Sequence, residues 1–125
     1  MVRRVLIIDD DEDITDALKA GLEHRGFKVD TFNEPLSALE KFTASTYDIA
    51  ILDIRMPKMN GFELYREIRK VDGKASVCFL TAFDVHRDEF EKMFPDVKVK
   101  AFLKKPITID NLVKTLNQLV PPEAD

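Results

Sequence analysis

The sequence predicts an α/β fold, a parallel sheet covered by helices on both faces. Three observations predict it. Along 125 residues, five short strand-like stretches alternate with five segments read as helices. Two of the strand-like stretches, Val5-Leu6-Ile7-Ile8 and Ile49-Ala50-Ile51-Leu52, are apolar without interruption, the pattern of strands buried on both faces. Both run straight into aspartate, and ligands of such folds bind beyond the carboxyl ends of the strands.

Each element has its own signal. Val5 to Ile8 is the first strand. Ile14, Ala17, Leu18, Gly21 and Leu22 then fall at helical spacing, with Asp13 as a candidate cap and Gly26 as a stop. Lys28 to Phe32 alternates and predicts a second strand. Asn33 can cap, and Pro35 can occupy the first turn, of a helix that puts Leu36, Leu39 and Phe42 on one side. Asp48 to Asp53 is the third strand. Gly61 to Val71 is the third helix, with Leu64, Tyr65 and Ile68 inward. Ser76 to Thr81 is the fourth strand.

The stretch from Asp84 to Phe94 is the least regular, and a fourth helix is expected there, ended early by Pro95. Val97 to Lys104 alternates apolar residues with lysines, as edge strands do. The last helix, Ile109 to Val120, turns Ile109, Leu112, Val113, Leu116, Leu119 and Val120 inward. Residues 1–120 therefore form one domain, and 121–125 a tail or the start of a linker.

Composition narrows the function. Hydrophobic residues make up 45% of the chain, enough for a core. The net charge of −4 disfavours direct nucleic-acid binding. Cys78 is the only cysteine, so an internal disulfide and a cysteine zinc site are excluded; it reads as an inert core thiol. No apolar run approaches a membrane span, and no signal-peptide pattern opens the chain, so a soluble cytoplasmic domain is expected.

The strand ends carry the chemistry. They bring Asp9 and Asp10, Asp53, Thr81 and Lys105 toward one crevice if the strands are neighbours. Crowded carboxylates raise one another's pKa and call for a positive partner. Hard oxygen donors with room for water suit Mg²⁺, and Lys105 supplies a point charge suited to phosphate. An aspartate can attack phosphorus to form an acyl phosphate, and phosphoryl transfer asks mainly for positioning and charge stabilisation.

Four pieces in order, Asp9-Asp10 after an apolar strand, "DIRMPKMNG" from Asp53, "FLTA" containing Thr81, and "AFLKKP" containing Lys105-Pro106, resemble the response-regulator receiver domain of two-component signalling. The resemblance covers nearly the whole chain. It implies a flavodoxin-like (βα)5 three-layer sandwich with strand order 2-1-3-4-5. Asp53 would accept a phosphoryl group from the phosphohistidine of a sensor histidine kinase or phosphotransfer protein. Asp10, Asp53 and the backbone carbonyl of Arg55 would ligate Mg²⁺, with Asp9 acting through a bound water. Thr81 and Lys105 would each meet a phosphoryl oxygen. Thr81 and Phe102 would form the switch, moving the face built by the fourth helix, fifth strand and last helix. Lys105-Pro106 would be cis. Bulky Arg55 and Phe83 would slow loss of the phosphate. Phe102 lacks the hydroxyl of the tyrosine frequent at its position. The output goes to an unknown protein partner or an output domain beyond this chain, with a phosphorylation-dependent homodimer through the switch face as a further expectation.

Plainer readings compete. Asp9 and Asp10 could merely serve a helix dipole, and Asp53 could be a turn former. Thr81 could be structural, Lys105 a solvated charge, and Phe102 simple packing; the four pieces together outweigh these. A calcium loop from Asp9 fails because Ile14 and Ala20 stand where glycine and glutamate belong. An aspartate-nucleophile phosphatase needs an acid where Arg55 stands, and no glycine-rich turn supports a dinucleotide site. A receiver fold that binds proteins without phosphorylation is the alternative function. His24 and His86 read as surface residues, and Phe90 and Phe94 as core.

Overall fold

In the computed structural model, residues 2–82, 91–92, 95 and 99–122 are described. Five parallel strands form one sheet: β1 (Arg4–Ile8), β2 (Lys28–Phe32), β3 (Ile49–Asp53), β4 (Val77–Thr81) and β5 (Ala101–Lys104). Their spatial order is β2-β1-β3-β4-β5, as expected. The described helices are α1 (Glu12–His24), α2 (Pro35–Lys41), α3 (Gly61–Val71) and α4 (Ile109–Leu119). Of the helix expected over 84–94, only Glu91 and Lys92 are described, and both are helical. The readings of Phe83, His86, Phe90, Phe94 and Val97 lie outside the described residues.

Strand alternation builds two cores. Leu6, Ile8, Leu52 and Phe79 pack with Ala38, Leu64, Tyr65 and Ile68 on the α2–α3 side. Val5, Ile7, Ile51 and Leu80 pack with Leu18, Leu22, Leu112 and Leu116 on the α1–α4 side. Val5, Leu6, Ile7 and Ile8 are at most 1% exposed. At about 1.5–3 kcal/mol per buried side chain, this one strand contributes roughly 6–12 kcal/mol. Two carboxylates about 4 Å apart repel by about 4 kcal/mol at an effective dielectric near 20. Burial of β1 therefore holds an acidic cluster at its end that would otherwise spread apart.

Several local expectations change. Asp11, not Asp13, caps α1: its side chain accepts from the amides of Asp13 and Ile14. Thr15 is fully buried and Ala17 exposed, because the buried stripe of α1 is Thr15, Leu18 and Leu22, which a count of apolar residues alone does not give. Asn33 does not cap α2; Glu34 occupies that position without a side-chain cap, and Leu36 is exposed. The third and fourth strands each begin one residue later than expected. The fifth begins only at Ala101, where pairing with Cys78 starts, so Val99 packs on the same side as Phe102 rather than with Leu103. Val120 caps α4 instead of continuing it. By contrast, Gly26 closes α1 as expected, with a φ of 92° that favours glycine; Asn60 and Glu63 form a reciprocal capping box that starts α3, a feature the sequence reading did not single out.

Candidate functional site: an acidic cleft at the strand ends

The register β1–β3–β4–β5 places the carboxyl ends of four strands side by side. Asp9, Asp10, Asp53, Arg55, Thr81 and Lys105 line one cleft of about 280 Å³. The structure thus brings together six of the seven expected site residues. Phe102 stands apart on β5, half buried, with its ring 5.7 Å from that of Phe79.

Each side chain is held by its element. Asp9 is 1% exposed; its amide donates to the Phe32 carbonyl, and its Oδ1 accepts from the Asp11 amide. Its Oδ2 faces the Lys105 ammonium at 2.7 Å, a charge contact without hydrogen-bond alignment. Asp53 is 5% exposed and lies 3.4 Å from the same ammonium. Asp10 is exposed at the cleft mouth. Thr81 is buried, and its carbonyl accepts from the Lys105 amide at 2.8 Å, which registers the end of β5 on β4. Lys105-Pro106 is cis.

A close approach fixes the loop after Asp53. The Gly61 amide donates to the Ile54 carbonyl at 2.8 Å. A Cβ at Gly61 would stand 2.4 Å from the Asp53 carbonyl oxygen. Glycine is what lets α3 begin directly beneath the strand end.

The electrostatics are unbalanced. Burial, then the charge of Asp9, push the Asp53 carboxyl up to about 6, against the pull of Lys105. Burial draws the Lys105 ammonium down, but its close contact with Asp9 and the charges of Asp9 and Asp53 outweigh this, and the net direction is up. One carboxylate oxygen from each of Asp9, Asp10 and Asp53 lies within 4.8 Å of the others. A single lysine does not neutralise three acids, and this oxygen-only donor set, with an open mouth, fits a hard divalent cation such as Mg²⁺.

Sequence reasoning missed Asn33 and Thr15. Asn33 Nδ2 donates to the Asp9 carbonyl and to Thr15 Oγ1, both at 2.9 Å. Both contacts are remote in sequence, and an asparagine before a proline-started helix carries the signal of a local cap.

Fold and cleft together define a parallel α/β domain with an acidic pocket at the carboxyl ends of its strands. Residues 5–117 match the model of the response regulator receiver domain, and the chain belongs to that family. It is 36% identical, over 131 aligned positions, to a transcriptional regulatory protein CpxR homolog from Haemophilus influenzae, covering 93% of this chain and 57% of that protein. It is 34% identical to the transcriptional regulatory protein QseB of Escherichia coli O157:H7, covering 94% and 52%. The chain spans about half the length of these curated relatives. Among solved structures, the Vibrio cholerae chemotaxis protein CheY4 superimposes with a TM-score of 0.83 at 26% identity, over 96% of this chain and 100% of that one. The response regulator TrrA of Thermotoga maritima, solved in complex with Mg²⁺-BeF, gives 0.80 at 32% identity, over 95% and 100%. The receiver domain is a signalling phosphoacceptor rather than a conventional enzyme, and its acidic triad is typical of an Mg²⁺ site.

Proposed function

We propose that this chain is a phosphorylatable switch in which Asp53 accepts a phosphoryl group from a phosphohistidine of a sensor kinase or phosphotransfer protein. The observation that carries this reading is the convergence of Asp53, Asp9, Asp10, Thr81 and Lys105 on one cleft. An Asp53 oxygen attacks phosphorus, the P–N bond breaks, and the imidazole nitrogen keeps the electron pair. At neutral pH most of the Asp53 carboxyl is ionised and able to attack. Lys105, just past the end of β5, leaves its carboxylates to pair with a phosphoryl oxygen, and the Thr81 hydroxyl donates to another. Asp10, Asp53 and the Arg55 carbonyl hold Mg²⁺, with Asp9 acting through water. The ion supplies charge neutralisation for the incoming phosphoryl oxygens.

The donor protein must bring its imidazole to Asp53. An apolar cleft of about 380 Å³, lined by Ile14, Ala17, Leu18, Leu80 and Ile107 and sharing Ala82 and Lys105 with the acidic one, supports its docking there. Phe102 follows the Thr81 hydroxyl and alters the face of β5 and α4, which engages a protein partner, a second copy of the chain or an output domain. Residues 1–120 are the switch and 121–125 a tail or linker start. The setting is cytoplasmic, in keeping with a family that takes phosphate from kinases; no described helix is long and apolar enough to cross a membrane.

The test is selective within one acidic run. With Mg²⁺ and BeF₃⁻, the amide spectrum of the wild type should shift around Asp53 and Thr81. Asp10→Ala should abolish the shift, and Glu12→Ala should leave it nearly intact. Equal behaviour of the two variants would contradict the assigned roles. No shift in the wild type would favour a binding module that works without phosphorylation.

A further inference from the structure

We propose that Asn33 is a positioning residue for the metal-binding carboxylates, clamping the β1–α1 turn from the neighbouring β2–α2 loop. The inference rests on the reading of the cleft as an Mg²⁺ site. The turn carries Asp9, Asp10 and Asp11 in succession, and at neutral pH their charges push it open. Besides the Asp11 cap of α1, four hydrogen bonds hold it. The Asp9 amide donates to the Phe32 carbonyl at 3.1 Å, and the Asp11 amide donates to Asp9 Oδ1 at 3.0 Å. The remaining two come from the Asn33 side chain.

The stoichiometry fixes how that amide points. Thr15 Oγ1 gives its hydrogen to the Glu12 carbonyl at 3.1 Å, so toward Asn33 it can only accept. The Asp9 carbonyl can also only accept. Both partners therefore require the NH₂ end of Asn33, and its two hydrogens serve one each, at 2.9 Å. Asn33 thus ties the Asp9 carbonyl, just past the end of β1, to a fully buried residue in the first turn of α1. Asp10, exposed and between these two anchors, inherits its position from them. Partners that orient metal ligands from outside the coordination sphere typically govern affinity by about 10- to 100-fold. Asn33 acts through the backbone, which places its effect at the low end.

Asn33 itself is exposed, and its truncation leaves no core cavity. Thr15 keeps its bond to Glu12. Asn33→Ala should therefore fold, as its amide spectrum in metal-free buffer can verify. MgCl₂ titrated into the full chain, followed by the amide shifts of Asp10 and Asp53, gives the dissociation constant directly. Asn33→Ala should weaken binding roughly tenfold, while Asn33→Gln, which keeps the amide, should stay within about threefold of the wild type. Wild-type affinity in Asn33→Ala, or equal loss in both variants, would overturn the positioning role. A wild type that shows no saturable shifts would instead overturn the metal site itself.

Discussion

At the residue scale, the cleft stores electrostatic stress that a substitution can release. Asp53 binds its proton more tightly folded, at about 6, than in an unfolded chain near 3.8. Between these values the native state holds the extra proton, so this group's contribution to stability falls as pH rises from about 4 to about 6 and stays lost above. Asp53→Asn removes the penalty. In metal-free buffer at pH 7.5 the variant should be more stable than the wild type by on the order of 2 kcal/mol, somewhat less than the whole shift because Lys105 loses one partner. Below about pH 4 the difference should vanish, and saturating Mg²⁺ should narrow or reverse it at pH 7.5. Thermal unfolding of both proteins at two pH values reads this, and an Asp53→Asn variant no more stable at pH 7.5 would refute the assigned stress. Cys78 carries no comparable role. Burial pushes its thiol up to about 12, which keeps it unreactive.

At the element scale, the site depends on how closely helices begin at strand ends. Gly61 is the sharpest case, since the backbone of Asp53 and Ile54 occupies the space a Cβ would need. Gly61→Ala should cost about 1–3 kcal/mol, as overpacking does, and should also disturb the Asp53 environment. Urea unfolding with a metal titration checks both, and an unchanged midpoint would contradict the close approach. Much at this scale was legible in the sequence. The uninterrupted runs of β1 and β3 announced buried strands, and helical spacing marked Gly61–Val71. What could not be read was contact between elements. Asn33 has the local signature of a cap, yet its amide is spent on Asp9 and Thr15 across the sheet end. Asp11 and Asp13 are equally good caps by residue type, and Asp11 is the one whose backbone is extended and whose carboxylate meets the amides of Asp13 and Ile14. The start of β5 at Ala101 coincides with the start of its pairing with Cys78 of β4, which alternation along one strand does not reveal.

At the scale of the whole molecule, the sheet order collects residues from positions 9 to 105 into one cleft. The sequence made this reading possible because each motif follows a strand, and parallel strands all end on one side. The roles proposed for individual residues come from resemblance and chemistry; the geometry locates the residues themselves: Lys105 close to Asp9, Asp10 at the mouth, Phe102 outside on the edge strand. The central claim is that Asp53 is the phosphoacceptor. Intact-mass spectrometry after incubation with acetyl phosphate and Mg²⁺ tests it most directly. The wild type should gain the mass of one phosphoryl group, chelation of the metal should prevent the gain, and Asp53→Asn should show none. A wild type that gains no mass, or an Asp53→Asn variant that gains as much, would contradict the account.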